Sequence, residues 1–300
     1  MKLLSHLSPD GAALPSAGDA RALAIGTANW HDAVAAAAEP EAAAAARAWS
    51  ATPQGQHLFA AVFGNSPFLS GLGVREWQFL TRLVADGADA PFAEIIAATK
   101  RPIDGEDQSA LMRRLRTARR RVALAVGVAD IAGAWGLERQ MSALTGFAEA
   151  AIDAAVRHLL RRLPRTPFAA DAEPAVSGLI VLGLGKLGGG ELNYSSDIDL
   201  ILLYDPDRSQ PAGRDVLHGF FNRLARELVR ILDERTGDGY VFRTDLRLRP
   251  DPRSTPLAMS VAAALSYYES VGQNWERAAL IKARAHFASA LLSGGSAGTA

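Results

Sequence analysis

Cysteine is absent from all 300 residues. That one absence excludes disulfides, Cys-ligated zinc, iron–sulfur clusters and thiol catalysis. It fits a reducing compartment, and a cytoplasmic location is expected. No stretch approaches the ~18 apolar residues of a membrane span. The opening segment, MKLLSHLSPDG, has no apolar run long enough for a secretion signal, so no membrane association is expected. Net charge is also missing: Lys+Arg and Asp+Glu number 32 each. A neutral chain lacks a general electrostatic grip on nucleic acid or anionic membrane, although a local basic patch stays open. Histidine is sparse, and His6, His31, His57, His158, His218 and His286 form no HxH or HExxH pair. A histidine metal site is therefore not expected. What is present is an ordinary globular balance of 49% apolar and 21% charged residues. At roughly 150 residues per domain the length suggests about two domains, enough to bury a core without staples.

The text changes character near residue 165. Before it the pattern is helical. Ala33–Ala48 is an alanine tract interrupted by Glu39-Pro40, which predicts two helical pieces. Ser66 stands ready to cap a helix whose first residue is Pro67. Stripes at helical spacing run through Trp77, Leu80, Leu83 and Val84, through Leu111, Leu115, Ala118 and Val122, and through Leu137, Met141, Leu144 and Ala148. Residues 113–121 hold six arginines. The apolar stripe beside them reads as the buried face, so the arginines are expected on wet or partner-facing sides. No aromatic residues interleave with them as a single-strand platform needs, and no nucleic acid is expected.

Pro164-Arg165-Thr166-Pro167 and Asp171-Ala172-Glu173-Pro174 read as a linker. Beyond it, Ser177–Leu184 and Ile198–Tyr204 are short apolar runs of strand length. Val216–Glu234 returns to helix. Tyr240–Leu248 alternates as a strand, and helices are expected at Val261–Ser270 and Trp275–His286. The fold class is α+β: a helical bundle over residues 1–165, a mixed sheet with flanking helices over 175–286, and a disordered tail over 287–300.

Chemistry concentrates in GLGKLGGGELNYSSDIDLILLYD, residues 183–205. Glycines after a strand let backbone approach a ligand closely, and Lys186 among them suits a phosphate. The GxGxxG spacing over residues 183–188 alone is weak evidence. No long Rossmann-type helix follows, and GxxxxGK[ST] is absent. Asp197 and Asp199 are sharper. Residues i and i+2 share a strand face, with Cα atoms roughly 6.5–7 Å apart. Two carboxylates at the mouth of a buried strand are costly unless a cation pairs them. Mg²⁺ or Mn²⁺ suits carboxylates and phosphate oxygens. Asp245, inside the VFRTDLRLRP strand, is the third candidate ligand. The plainer alternative is that Ser196 and Asp197 cap a turn and Asp245 pairs with Arg243 or Arg247. A glycine–lysine loop, a DxD on a strand and a later strand aspartate, in that order, are the signature of the nucleotidyltransferase superfamily typified by polymerase β. The spacer from Gly189 to Asp197 is shorter than usual there.

The segment GLGKLGGGELNYSSDIDLILLY resembles the first catalytic motif of the bifunctional glutamine synthetase adenylyltransferase/adenylyl-removing family. The resemblance continues through DGYVFRTDLRLRP, NWERAALIKAR, FGNSPFLSGLGVRE and ARRRVALAVGVADIAG, covering residues 55–286. It implies the AMP-removing domain of the pair, a polymerase-β-like sheet, and phosphorolysis of an AMP–tyrosine bond on adenylylated glutamine synthetase, with orthophosphate consumed and ADP released. It implies metal on Asp197, Asp199 and Asp245. Phosphate or nucleotide contacts are expected from Gly185, Lys186, Gly188, Gly189, Ser195, Ser196, Arg247 and Arg249, the two arginines sharing a strand face with Asp245. Glu276, Arg277, Lys282 and Arg284 match a family helix whose role reads equally as packing. A PII-type signal protein is the partner expected of the full-length family. Three departures stand out. Pro252-Arg253-Ser254-Thr255 replaces a glycine-containing loop. The family pattern is expected to end after Arg284. The chain also reads as lacking the second, adenylylating half. A non-catalytic nucleotide-binding fragment and a nucleotidyltransferase with another acceptor remain the alternatives.

Overall fold

The computed structural model describes residues 2–5, 14–163, 167–168, 177–209 and 214–288. The proposed linker lies largely outside these residues, as does the proposed 287–300 tail from residue 289 on, whereas Phe287 and Ala288, read as the start of that tail, lie in a strand. The chain forms two compact units, Met1–Ala98 with Thr117–Leu144, and Thr99–Arg116 with Thr145–Ala300. The later part of the helical text thus belongs to the same unit as the sheet.

Helices run in order as α1 (Ala20–Ala35), α2 (Pro40–Ser50), α3 (Pro53–Phe63), α4 (Pro67–Arg75), α5 (Trp77–Asp86), α6 (Asp89–Lys100), α7 (Gln108–Ile131) and α8 (Leu137–Arg162). The alanine tract splits at Glu39-Pro40, because proline has no N–H for an interior turn. Ser66 caps α4 by accepting from the Leu69 N–H at 3.2 Å. In the first unit Trp30, Trp49, Phe59 and Phe63 make an edge-and-stack aromatic core, with Trp30–Trp49 centroids 5.4 Å apart.

The second unit continues with β1 (Leu179–Gly183), α9 (Gly185–Gly188), β2 (Ile198–Tyr204), α10 (Arg214–Asp233), β3 (Thr244–Asp245), β4 (Ala258–Ser260), α11 (Val261–Ser270), α12 (Asn274–Ala279) and β5 (Arg284–Ala288). With these elements the chain is α+β. β1 and β2 pair antiparallel, with Leu179 opposite Tyr204 and Gly183 opposite Leu200. The far edge of β2 is shared: β3 pairs parallel with its start and β4 parallel with its end. α10 buries Leu217, Phe220, Phe221, Leu224, Leu228, Ile231 and Leu232 on one face, each at 0% exposure, so the broad stripe read from sequence is the core face.

Three expectations are corrected. Tyr240–Leu248 is not a nine-residue strand, since only Thr244–Asp245 pairs. Val241 and Phe242 N–H groups turn back to the Leu232 carbonyl at 2.9 and 3.0 Å. After Asp245 the chain turns again, because its carboxylate takes the Arg247 N–H at 2.7 Å. Trp275–His286 is not one helix. It ends at Ala279, passes through a 3-10 turn at Leu280–Lys282 and becomes β5. β5 covers the open edge of β1 with Val181 opposite Phe287, and a helix there would leave that edge's backbone groups unpaired. The third is Arg116, expected on a wet face but 0% exposed. Its guanidinium donates to the carbonyls of Gly239 at 2.8 Å, Met112 and Ile231 at 3.1 Å, and Glu234. It closes the C-terminal end of α10, whose last carbonyls lack helical partners.

Candidate active site

The site is built at the N-terminal mouth of β2. The Leu184 N–H donates to the Asp199 carbonyl at 3.0 Å, and the Ile198 N–H to the Arg243 carbonyl at 2.9 Å. These bonds hold the glycine turn on one side of β2 and β3 on the other. Asp199 and Asp245 are register partners in the parallel pair. Register partners of neighbouring parallel strands point to the same face, with strands about 4.8 Å apart. Asp197 lies two residues before Asp199 and is exposed.

The electrostatics follow from this crowding. Asp199 has its pKa raised above 3.8, first by burial and then by the charges of Asp197 and Asp245, with Arg247 pulling the other way. Asp245 goes the opposite way. Arg247 holds it below the ordinary carboxylate range by hydrogen bonds from Nε at 2.9 and 3.0 Å. The plainer alternative for Asp245, a pair with Arg247, is therefore what the structure shows. An open cleft of about 500 Å³ lies against Asp197, Thr244, Asp245 and Arg247, with Arg226 and Arg243 on its rim.

The glycine turn separates by role. Gly185 has φ +52°, and a Cβ there would meet Asp199 Oδ2 at 2.8 Å; the turn can sit this close to the carboxylate only without a side chain. Lys186 is exposed. Gly188 is buried, and a Cβ on it would collide with the Lys282 and Gly183 carbonyls, so close backbone packing accounts for it. Gly189 is exposed, and a Cβ there would lie 3.0 Å from Glu191. Ser195 accepts from Arg243 Nη2 through its carbonyl at 2.7 Å. The Ser196 hydroxyl donates to the Asn193 side chain, closing the turn before β2. Arg247 and Arg249 do not share a strand face with Asp245, because the strand has ended. Arg249 instead bridges its own loop, donating to the Leu246 and Pro252 carbonyls at 2.7 and 2.8 Å.

Sequence reasoning named Arg284 only as part of a helix with an equally plausible packing role, and did not join it to Glu149 and His286 as the support beneath this turn. Arg284 donates to the Gly188 and Leu187 carbonyls at 3.2 and 3.3 Å and pairs with Glu149 at 2.6 Å. His286 Nδ1 lies 3.4 Å from the same carboxylate. Glu149 stands on α8, far back in sequence, and no local pattern signals the triple.

Carboxylate oxygens are the right donors for a hard divalent cation, and the strain on Asp199 is of the kind a cation relieves. Among the described residues no group of three acidic or histidine side chains stands in metal-holding geometry. The donor set fits in kind, and Asp245 has to leave Arg247 to complete it.

Fold and site together define an α+β domain with a carboxylate-bearing strand beneath a glycine turn. Residues 56–293 match the family of glutamate-ammonia ligase adenylyltransferases. The match passes the point near Arg284 where the family pattern was expected to end. The chain is 50% identical over 234 residues to the bifunctional glutamine synthetase adenylyltransferase/adenylyl-removing enzyme of Rhizobium meliloti, covering 75% of this chain and 24% of that one. It is 45% identical over 254 residues to the enzyme of that name from a Bradyrhizobium strain, covering 82% and 26%. For that of Caulobacter vibrioides it is 44% over 229 residues, covering 75% and 23%. The chain belongs to the glutamate-ammonia ligase adenylyltransferase family. It spans about a quarter of the length of these curated relatives and matches their N-terminal half. Among the described residues no helix is long and apolar enough to cross a membrane.

Proposed function

We propose that this chain is a nucleotidyltransferase domain that removes AMP from a tyrosine of adenylylated glutamine synthetase by phosphorolysis. The relatives carry both adenylyltransferase and adenylyl-removing in their names. The observation that carries the reading is the register pairing of Asp199 with Asp245, with Asp197 two residues away; burial and these neighbouring charges raise the Asp199 pKa, against a partial pull from Arg247. Carboxylates gathered at the mouth of a buried strand make sense if a cation and a phosphate complete them.

An oxygen of orthophosphate attacks the AMP phosphorus and forms the new P–O bond of ADP. The bond to the tyrosine oxygen breaks, and the tyrosinate leaves and takes up a proton. A phenol with a pKa near 10 leaves readily. Asp197, Asp199 and Asp245 would hold Mg²⁺ or Mn²⁺, which would neutralise charge on the phosphates. Lys186 and the Gly185 turn bind phosphate oxygens, and Arg247 is free to do so once Asp245 turns away. Arg226 and Arg243 at the cleft rim orient the anionic substrate. Catalysis is then mostly positioning and electrostatics. The partner is adenylylated glutamine synthetase, with a PII-type signal protein acting on the full-length family and a cytoplasmic setting.

The test is incubation of the chain with AMP-modified glutamine synthetase, Mg²⁺ and orthophosphate, scoring ADP. ADP released in step with loss of AMP from the synthetase supports the reading. Release of free AMP instead, or no release while the chain binds nucleotide, rejects phosphorolysis.

A further inference from the structure

A second basic cavity lies apart from the carboxylate cleft, within the same unit. It is about 240 Å³ and is walled by the last residue of α6, the segment that follows it, and the last turns of α8. Arg114 faces it but is engaged: its Nε and Nη2 donate to both Glu106 oxygens at 2.8 Å. Arg157 pairs with Asp153 at 2.8 Å. Lys100, Arg101, Arg161 and Arg162 have no ion-pair partner among the described residues, and Asp104 is the carboxylate left to face them. Burial lowers the pKa of His158 in the cavity wall. Glu106 and Asp107 pull it up, while Arg162 and Arg114 push it further down.

Cations at helix C-termini are ordinary one at a time, since they complement the macrodipole. Two things here go beyond that. Two helix ends bring their cations to one concavity, where like charges repel. Among the described residues Arg161 Nε is also buried with no hydrogen-bond partner, a state that an incoming acceptor would relieve. An anion with several acceptor oxygens suits such a lining, because guanidinium forks match phosphate geometry.

We propose that this cavity binds a compact phosphate-bearing anion of the class of inorganic diphosphate. The volume sits below the roughly 300–1,000 Å³ of sites that enclose drug-sized ligands. A phosphate group or pair fits inside. The site is independent of the AMP-removal reading, since it shares no residue with the carboxylate cleft.

Isothermal titration of the whole chain with inorganic diphosphate, in EDTA and at physiological ionic strength, tests it. One saturable site is expected. The double variant Arg161→Gln/Arg162→Gln should weaken it by about tenfold or more, with the ligand-free melting temperature raised or unchanged. Lys100→Gln/Arg101→Gln, at exposed positions, serves as a second pair that does not threaten the fold and should weaken it likewise. The His158 ring resonances should shift on titration in wild type and not in the variants. Absence of saturable heat overturns the proposal, as does unchanged affinity in both double variants. Loss of binding in Lys186→Ala would move the phosphate to the glycine turn and also refute it. Tighter binding of a single-stranded oligonucleotide than of diphosphate would refute it in favour of a polymer surface.

Discussion

Asp199→Asn keeps the side chain's shape and removes its charge. Asp199 sits beside Asp245 in register and two residues from Asp197. At about 5–7 Å, unit charges repel by about 2–3 kcal/mol at an effective dielectric of ~20 and by about 0.6–0.8 kcal/mol in water. Asp199 is half-buried, and Arg247 offsets part of the repulsion. The relief from the substitution is then about 1 kcal/mol, or a rise in melting temperature of about 2–4 °C. The sign with pH follows from the raised pKa. The folded state holds the Asp199 proton more tightly than the unfolded chain, so its charge destabilises the fold above its folded pKa and has no effect below 3.8. The advantage of the variant should therefore be absent in strong acid, grow as pH rises from 3.8 through the raised folded pKa, and then level off. Mg²⁺ should raise the melting temperature of the wild type and not of the variant. AMP removal should fall by about 10³-fold or more, since charge stabilisation of this kind is worth several kcal/mol. Paired thermal melts across pH, with and without Mg²⁺, and the ADP assay decide the matter. A variant that melts early and stays active would make Asp199 architecture and refute the reasoning.

Arg116→Met leaves the carbonyls of Gly239, Ile231 and Glu234 without their shared donor inside the fold. Urea unfolding should show a loss of about 3–5 kcal/mol, as for other broken buried charged networks; a loss within 0.5 kcal/mol, the range of ordinary surface changes, would show that water replaces the guanidinium. Lys186→Ala should weaken ADP and phosphate binding in Mg²⁺ and leave the melting temperature unchanged, because the residue is exposed; unchanged affinity would return it to an ordinary surface lysine. Gly188→Ala drives a Cβ into the Lys282 carbonyl and should destabilise by about 1–3 kcal/mol, read by thermal melting, with AMP removal falling as the glycine turn shifts. Asp245→Asn should lose acid sensitivity: Arg247 lowers the Asp245 pKa, so that pair stabilises above the unfolded pKa and is lost as pH falls through the folded one.

Much of this protein follows from local pattern. The period-3.6 stripes of α5, α7, α8 and α10, the proline break between α1 and α2, and the Ser66 cap all come from short-range sterics and hydrogen bonding, which a sequence displays directly. The two-residue spacing of Asp197 and Asp199 is legible in the sequence, although only Asp199 lies within β2 and Asp197 precedes it. Distance along the chain hides the rest. Whether Asp245 reaches Asp199 depends on register between β2 and β3, which lie 46 residues apart at that pairing (199 to 245), and nothing local sets that. Tyr240–Leu248 alternates like a strand, but pairing stops after two residues because the Asp245 carboxylate captures the Arg247 backbone N–H. Residues 284–286 read as helix and 287–288 as tail, yet the open edge of β1 offers them hydrogen bonds that outweigh propensity. Arg116 looks like its five neighbours in the arginine run (residues 113–121), and only the arrival of α10's last carbonyls makes it a buried clamp. Composition and periodicity determine which residues are apolar, helical or acidic; the tertiary fold decides which of them meet, because contact between distant residues is a property of packing and register.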